Sequence, residues 1–113
     1  RIHYKMAAAE DDESPLLRSI RSRSVLAALR NATPGLPVGP ESVLPLRHGD
    51  RALALNGYVP DFRARHMRSL RAPLRDDWYA RLLGVGDAET LFLRVLQAIE
   101  DGAEPGAALL PVA

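Results

Sequence analysis

Five arginines between Arg63 and Arg75 are the residues of this chain best suited to act on a partner. On a helix, Arg68, Arg71 and Arg75 step by three and four, so they share one face, and Arg65 joins that row. Each guanidinium can make a forked contact to a phosphate or a carboxylate. Trp78 and Tyr79 follow directly, and this residue pair is enriched among interface anchors. Arg65, Arg68, Arg71, Arg75, Trp78 and Tyr79 therefore form the candidate partner-binding set. The plainer roles are a solvated basic face balanced by Asp76 and Asp77, and a tryptophan packed in the core. The expected partner is another protein, acidic or offering a hydrophobic groove. Nucleic acid is the alternative, although the arginines lack the interleaved aromatics and the defined motif of most nucleic-acid binders.

Other constellations are weaker. His48 and Asp50 share a turn, with Ser42 nearby, which is the residue set of a small hydrolase. No G-x-S-x-G elbow accompanies them, and a turn alone accounts for His-Gly-Asp. A metal site from His48, His66 and Asp50 lacks ligand spacing, and no cysteine can assist. No catalytic, metal or cofactor-binding residue is therefore expected. Arg18-Ser19-Ile20-Arg21-Ser22-Arg23-Ser24 resembles a substrate of arginine-directed kinases, with arginine one and four residues before Ser22. Within a helix, a phosphate there would pair with Arg18 or Arg21. Pro34-Gly35-Leu36-Pro37 is formally a PxxP ligand in a stretch dense with proline.

Composition narrows the class. An apolar fraction of 47% and a charged fraction of 26% are ordinary for a globular domain, which argues against wholesale disorder. The net charge of +1 means that any electrostatic role comes from uneven distribution. The absence of cysteine excludes disulfides, thiolate zinc sites and cysteine nucleophiles. No apolar run approaches the roughly 18 residues that read as a membrane span, and no signal peptide is evident. A soluble cytoplasmic protein with no membrane association is the expectation. Lys5 is the only lysine, and the wealth of Ala, Arg, Gly and Pro suggests a GC-rich genome, bacterial or viral.

The elements that would carry these residues are helical. Residues 1–13 read as a disordered arm containing the acidic run Glu10 to Glu13. Met6 resembles a natural start, so Arg1 to Lys5 are left out of the fold reasoning. Ser14-Pro15 is a helix entry, predicting a helix from Pro15 to Arg30. Its two apolar groups, Leu16, Leu17 and Ile20 and then Val25, Leu26 and Leu29, do not share one stripe. Either the helix breaks near Ser22 or Ser24, or two faces meet different partners. Residues 32–42 form a proline- and glycine-rich connector. Between Val43 and Val59 a hairpin competes with a helical turn from Asp50 to Leu55, and alanine and leucine favour the turn.

Asp61 to Leu70 is predicted as a helix capped by Asp61 and ended or kinked by Pro73, and the arginine row spans Pro73 if it only kinks. A further helix runs from Leu74 or Asp76 to Leu83, with Gly84 as its stop. The strongest stripe lies in Asp87 to Gly102. There Leu91, Val95 and Ala98 recur beside Phe92, Leu96 and Ile99, between an N-cap at Asp87 and a left-handed Gly102. Residues 103–113 read as a flexible tail whose Leu109, Leu110 and Val112 fold back on the core or enter a groove on another protein.

The sequence thus predicts an all-α or mostly α domain over residues 14–102, a small bundle of four or five helices with one proline/glycine-rich loop. Its core would use Leu17, Ile20, Leu26, Leu29, Leu70, Leu74, Trp78, Leu82, Leu91, Val95, Leu96 and Ile99. The functional expectation is a non-enzymatic interaction module, an adaptor or regulator. The alternative is an accessory nucleic-acid-binding protein using the arginine-rich helix. The spare apolar edges at Val25, Leu26 and Leu109 suggest a homodimer or a hetero-complex.

Overall fold

Proline and glycine cut this chain into short pieces, and the architecture follows from that. The structure, a computed structural model, describes residues 14–28 and 43–109. In order it contains α1 (Ser14–Ser19), β1 (Leu46–His48), β2 (Arg51–Leu53), a π-helical turn (Phe62–His66) running directly into α2 (Met67–Arg71), α3 (Asp76–Tyr79), α4 (Asp87–Glu100) and α5 (Pro105–Ala108). The expected bundle of four or five helices does not form. Among the described residues α4, with 14 residues, is the longest helix, while α1, α2, α3 and α5 have four to six each. Helices of one or two turns cannot align long ridges and grooves against each other. A β-hairpin takes the place of the missing helical partner.

Within residues 43–59 a hairpin forms from Leu46 to Leu53, not the helical turn from Asp50 to Leu55 that alanine and leucine favour. β1 and β2 pair antiparallel, with Leu46 opposite Leu53, Arg47 opposite Ala52 and His48 opposite Arg51. Gly49 and Asp50 make the two-residue loop. Gly49 has φ 59° and Asp50 stays out of the left-handed region, the requirement of a type II′ turn with glycine first. The Leu44–Pro45 bond is cis. Packing outweighs propensity here: Leu44 and Leu46 are buried in one cluster with Leu74, Trp78, Ala88, Phe92, Leu93 and Leu96, and Leu53, Leu55 and Leu82 pack on its edge. Sheet propensity is largely a statement about such side-chain packing.

The first helix is shorter than predicted. It covers Ser14–Ser19, and residues 20–28 have no regular secondary structure. The break precedes Ser22, whose Oγ donates to the Ser24 carbonyl at 2.7 Å and accepts from the Ser24 amide at 3.3 Å. Serine bonding to nearby backbone competes with helix in this way. Leu26 and Val25 are exposed, at 51% and 77%, so Leu26 is not a core residue. Ile20 is half-buried. The predicted core position Leu29, the proline-rich connector with its PxxP stretch, Ser42, and Leu110 with Val112 lie outside the described residues, as do the side chains of Leu16 and Leu17.

α4 supplies most of the core. Ala88, Phe92, Leu93, Val95 and Leu96 are buried, while Leu91 and Ile99 are only half-buried. The apolar stripe is real, but its centre is rotated toward Leu93 and away from Leu91. Leu70 and Leu82 are likewise half-buried, whereas Leu74 and Trp78 are buried. The helix ends as a glycine stop should. Gly102 has φ 101°, its amide donates to the Ile99 carbonyl at 3.0 Å, and the Ala103 amide donates to Ala98 at 2.9 Å. These are the two bonds of a Schellman motif. Beyond it, α5 packs against α4 and buries Ala108 to 1% exposure.

Leu96 lies at 4% exposure at the centre of this cluster. Leu96→Ala is expected to destabilise the fold by about 2 to 5 kcal/mol, measured by thermal or urea denaturation.

Candidate interaction surface

The local folding of residues 57–90 decides which arginines remain available. Asp61 takes a left-handed conformation (φ 52°, ψ 28°), and its side chain makes no capping bond to the helix amides. Its carboxylate instead lies 3.7 Å from Arg65 Nε, with both side chains well exposed. The π-helical turn that follows buries Phe62 and turns Arg63, Arg65 and His66 outward. In α2, Arg68 is exposed, Met67 and Leu70 are half-buried, and Arg71 points back across the fold. The insertion of one residue per turn in a π-helix breaks the three-and-four spacing that would have aligned Arg65 with the arginines after it.

Arg71 is part of the scaffold. Its Nε donates to Thr90 Oγ1 at 2.9 Å, its Nη2 donates to the Gly84 carbonyl at 2.9 Å, and its guanidinium carbon lies 6.0 Å from the Phe62 ring centroid. Thr90 is fully buried, and its own hydroxyl donates a hydrogen bond to the Gly86 carbonyl at 3.1 Å. Two carboxylates complete this region. Asp87 is the first helical residue of α4, with Gly86 at the N-cap, so the helix starts one position earlier than an Asp87 N-cap implies. Its Oδ2 accepts from the Val59 amide at 2.6 Å and its Oδ1 from the Ala88 amide at 2.8 Å. Glu89 accepts from the Leu83 amide through Oε1 and from the Gly84 amide through Oε2 at 3.0 Å. Gly84 does not adopt a positive φ. The end of the α3 turn is fixed by Glu89, and not by a left-handed glycine.

Arg75 is also committed internally. Its Nη1 donates to both oxygens of Asp101 at 2.8 and 2.9 Å, and its Nη2 lies 2.5 Å from Glu100 Oε2. Asp77 is 3.9 Å from its Nε. The Asp101 hydrogen bond, with the charges of Asp101, Glu100 and Asp77 added, outweighs partial desolvation and raises the Arg75 pKa above its ordinary value. Gln97 closes the same junction, accepting from the Arg75 amide at 2.8 Å and donating to the Pro73 carbonyl at 2.9 Å. Trp78 belongs to this clasp. It is 7% exposed, and its Nε1 donates to Glu100 at 2.6 Å. His48 meets it edge-on at 5.3 Å, and the Arg81 guanidinium lies 5.3 Å from its ring centroid.

The six residues singled out from the sequence thus divide. Arg65, Arg68 and Tyr79 face solvent, Tyr79 at 52% exposure. Arg71, Arg75 and Trp78 hold α2, α3 and α4 together. Their roles are invisible in spacing, because the partners Thr90, Glu100 and Asp101 lie 19 to 26 residues away. The structure adds three residues to the outward set. Arg63 and Arg68 have no ion-pair partner among the described residues. Tyr58 and Leu83 are exposed at 67% and 81%. The Val59 amide, next to Tyr58, and the Leu83 amide are both bonded to the first turn of α4.

Among the described residues no cluster of three His, Cys, Asp or Glu is arranged to hold a metal ion, and no helix is long and apolar enough to cross a membrane. His48 and Asp50 occupy the ends of the hairpin loop, and His48 is directed to Trp78. The chain matches no family model, no curated protein and no solved structure.

The division of the arginines predicts unequal stability effects. Arg71→Ala is expected to cost about 1 to 3 kcal/mol, because it removes two bonds from a charged donor. Arg68→Ala is expected to stay within about 0.5 kcal/mol of the parent. Urea denaturation of both variants checks the difference.

Proposed function

We propose that this protein is a non-enzymatic interaction module that binds an acidic segment of another protein. Arg63, Arg65 and Arg68 supply the cationic contacts, and Tyr58, Tyr79 and Leu83 supply apolar ones. One observation carries the reading. The fold pairs Arg71 and Arg75 internally but leaves Arg63 and Arg68 outward, without a carboxylate among the described residues. Three guanidiniums within one short exposed turn and the helix after it repel one another. An anionic partner relieves that repulsion and can engage each guanidinium in a forked bond. Exposed Tyr58, Tyr79 and Leu83 would give a bound peptide apolar area to cover, and tyrosine and arginine are enriched among the residues that carry interface energy.

The test compares two probes of matched charge by fluorescence anisotropy: a glutamate-rich peptide containing leucine and phenylalanine, and a single-stranded oligonucleotide. The peptide is expected to bind, and Arg63→Glu with Arg68→Glu is expected to weaken it by at least about tenfold, equivalent to about 1.4 kcal/mol. The melting temperature of the double variant should match the parent. Preference for the oligonucleotide, with affinity falling steeply as salt rises, would overturn this reading in favour of nucleic-acid binding. Peptide binding unaffected by the double substitution would also contradict it.

A further inference from the structure

The segment after α1 carries serines and arginines that neither the core nor the basic surface at Arg63 to Arg68 uses. We infer that Ser24 is a phosphorylation site for an arginine-directed serine/threonine protein kinase. The helix stops at Ser19, so Arg21-Ser22-Arg23-Ser24-Val25 lies outside regular secondary structure, and every residue from Arg21 to Ala28 is exposed. A kinase cleft needs a substrate backbone that is free of helical hydrogen bonds and open to solvent. This stretch meets that requirement, whereas a continuous helix from Pro15 to Arg30 would not.

Local geometry selects Ser24 over its neighbours. Arg21 lies three residues before Ser24 and Arg23 one before it. In an extended chain, three residues span roughly 10 Å, a distance a long arginine side chain can shorten or extend to reach carboxylates beside the phosphoryl-transfer centre. Val25, 77% exposed, follows as an apolar contact. Ser22 has Arg21 before it, but its other preceding arginine, Arg18, is held inside α1. The Ser22 hydroxyl is moreover engaged twice with the Ser24 backbone. Ser19 is the last residue of α1.

In the reaction, Ser24 Oγ attacks the γ-phosphorus of a magnesium-bound nucleoside triphosphate. The bond from that phosphorus to the β,γ-bridging oxygen breaks, and the nucleoside diphosphate leaves. The hydroxyl proton passes to the kinase's catalytic carboxylate. The product carries a charge of about −1.5 to −2 beside Arg21 and Arg23. It converts a basic segment into one that is close to neutral and joined by guanidinium–phosphate bonds.

The experiment incubates the full chain with magnesium, ATP and a purified kinase domain that requires arginine three residues before its target serine, and maps phosphate by fragmentation mass spectrometry. A free peptide spanning residues 18–28 serves as control. The expected result is phosphate on Ser24 of the full chain, lost in Ser24→Ala, retained in Ser22→Ala, and reduced about tenfold or more in kcat/KM by Arg21→Ala, the effect of losing one strong charged contact. Phosphate on Ser22 or on another serine would overturn the assignment. So would modification of the peptide but not the full chain, which would show the segment to be covered, or an Arg21→Ala chain modified as well as the parent.

Discussion

The first turn of α4 is the junction on which the described fold depends. Three separate segments of chain are bonded to it by side chains only a few residues apart. Asp87 holds the Val59 amide, Glu89 holds the Leu83 and Gly84 amides, and Thr90 receives Arg71 from α2. All three side chains are buried. A buried carboxylate without partners would be strongly destabilising, and no buried side-chain polar atom among the described residues lacks one. The N-terminal end of a helix also favours negative charge. The same two acids therefore serve the α4 dipole and satisfy loop amides that would otherwise be orphaned. At the opposite end, Glu100 and Asp101 do the corresponding work for Arg75 and Trp78.

This double anchoring explains how a chain of such short elements forms a core. α2 and α3 are too brief to be stable alone, and each is bonded to α4 at one end by a charged side chain. The hairpin brings Leu44 and Leu46 over Trp78 and Phe92, filling the side that further helices would have covered in a bundle. Surface charge follows from the same wiring. Arg71 and Arg75 are hydrogen-bonded to α4, Arg75 through carboxylates, while Arg63 and Arg68 are left to solvent.

Much of α4 was legible in the sequence because its signals are local: an apolar stripe at the helical period, and a glycine where the Schellman bonds require positive φ. The stripe's centre was less clear, since Leu91 and Leu93 are chemically equivalent and only packing separates them. The hairpin was misread because alanine and leucine between Arg51 and Leu55 favour helix locally, while burial of Leu44 and Leu46 is a long-range effect. Arg71 and Arg75 share a face by spacing, but spacing does not reveal their partners: Arg71 is half-buried against Thr90, and Arg75 is exposed yet bound to Glu100 and Asp101. The π-helical turn at Phe62–His66 carries no evident sequence mark, and the row is divided because Arg71 and Arg75 are engaged by Thr90, Glu100 and Asp101. The two unaligned apolar groups marked a possible break near Ser22 or Ser24; α1 ends earlier, at Ser19, and no second helical piece follows in residues 20–28.

Amide hydrogen exchange at Leu83 and Gly84 tests the central claim most directly. These amides lie in an irregular, partly exposed stretch with no helix or strand to protect them, so slow exchange there requires the Glu89 carboxylate. The account predicts clear protection of both in the parent. In Glu89→Ala that protection is lost at Leu83 and Gly84, while the Val59 amide, held by Asp87, keeps its own. Exchange at unprotected-chain rates in the parent, or protection unchanged by Glu89→Ala, would contradict the role assigned to the first turn of α4.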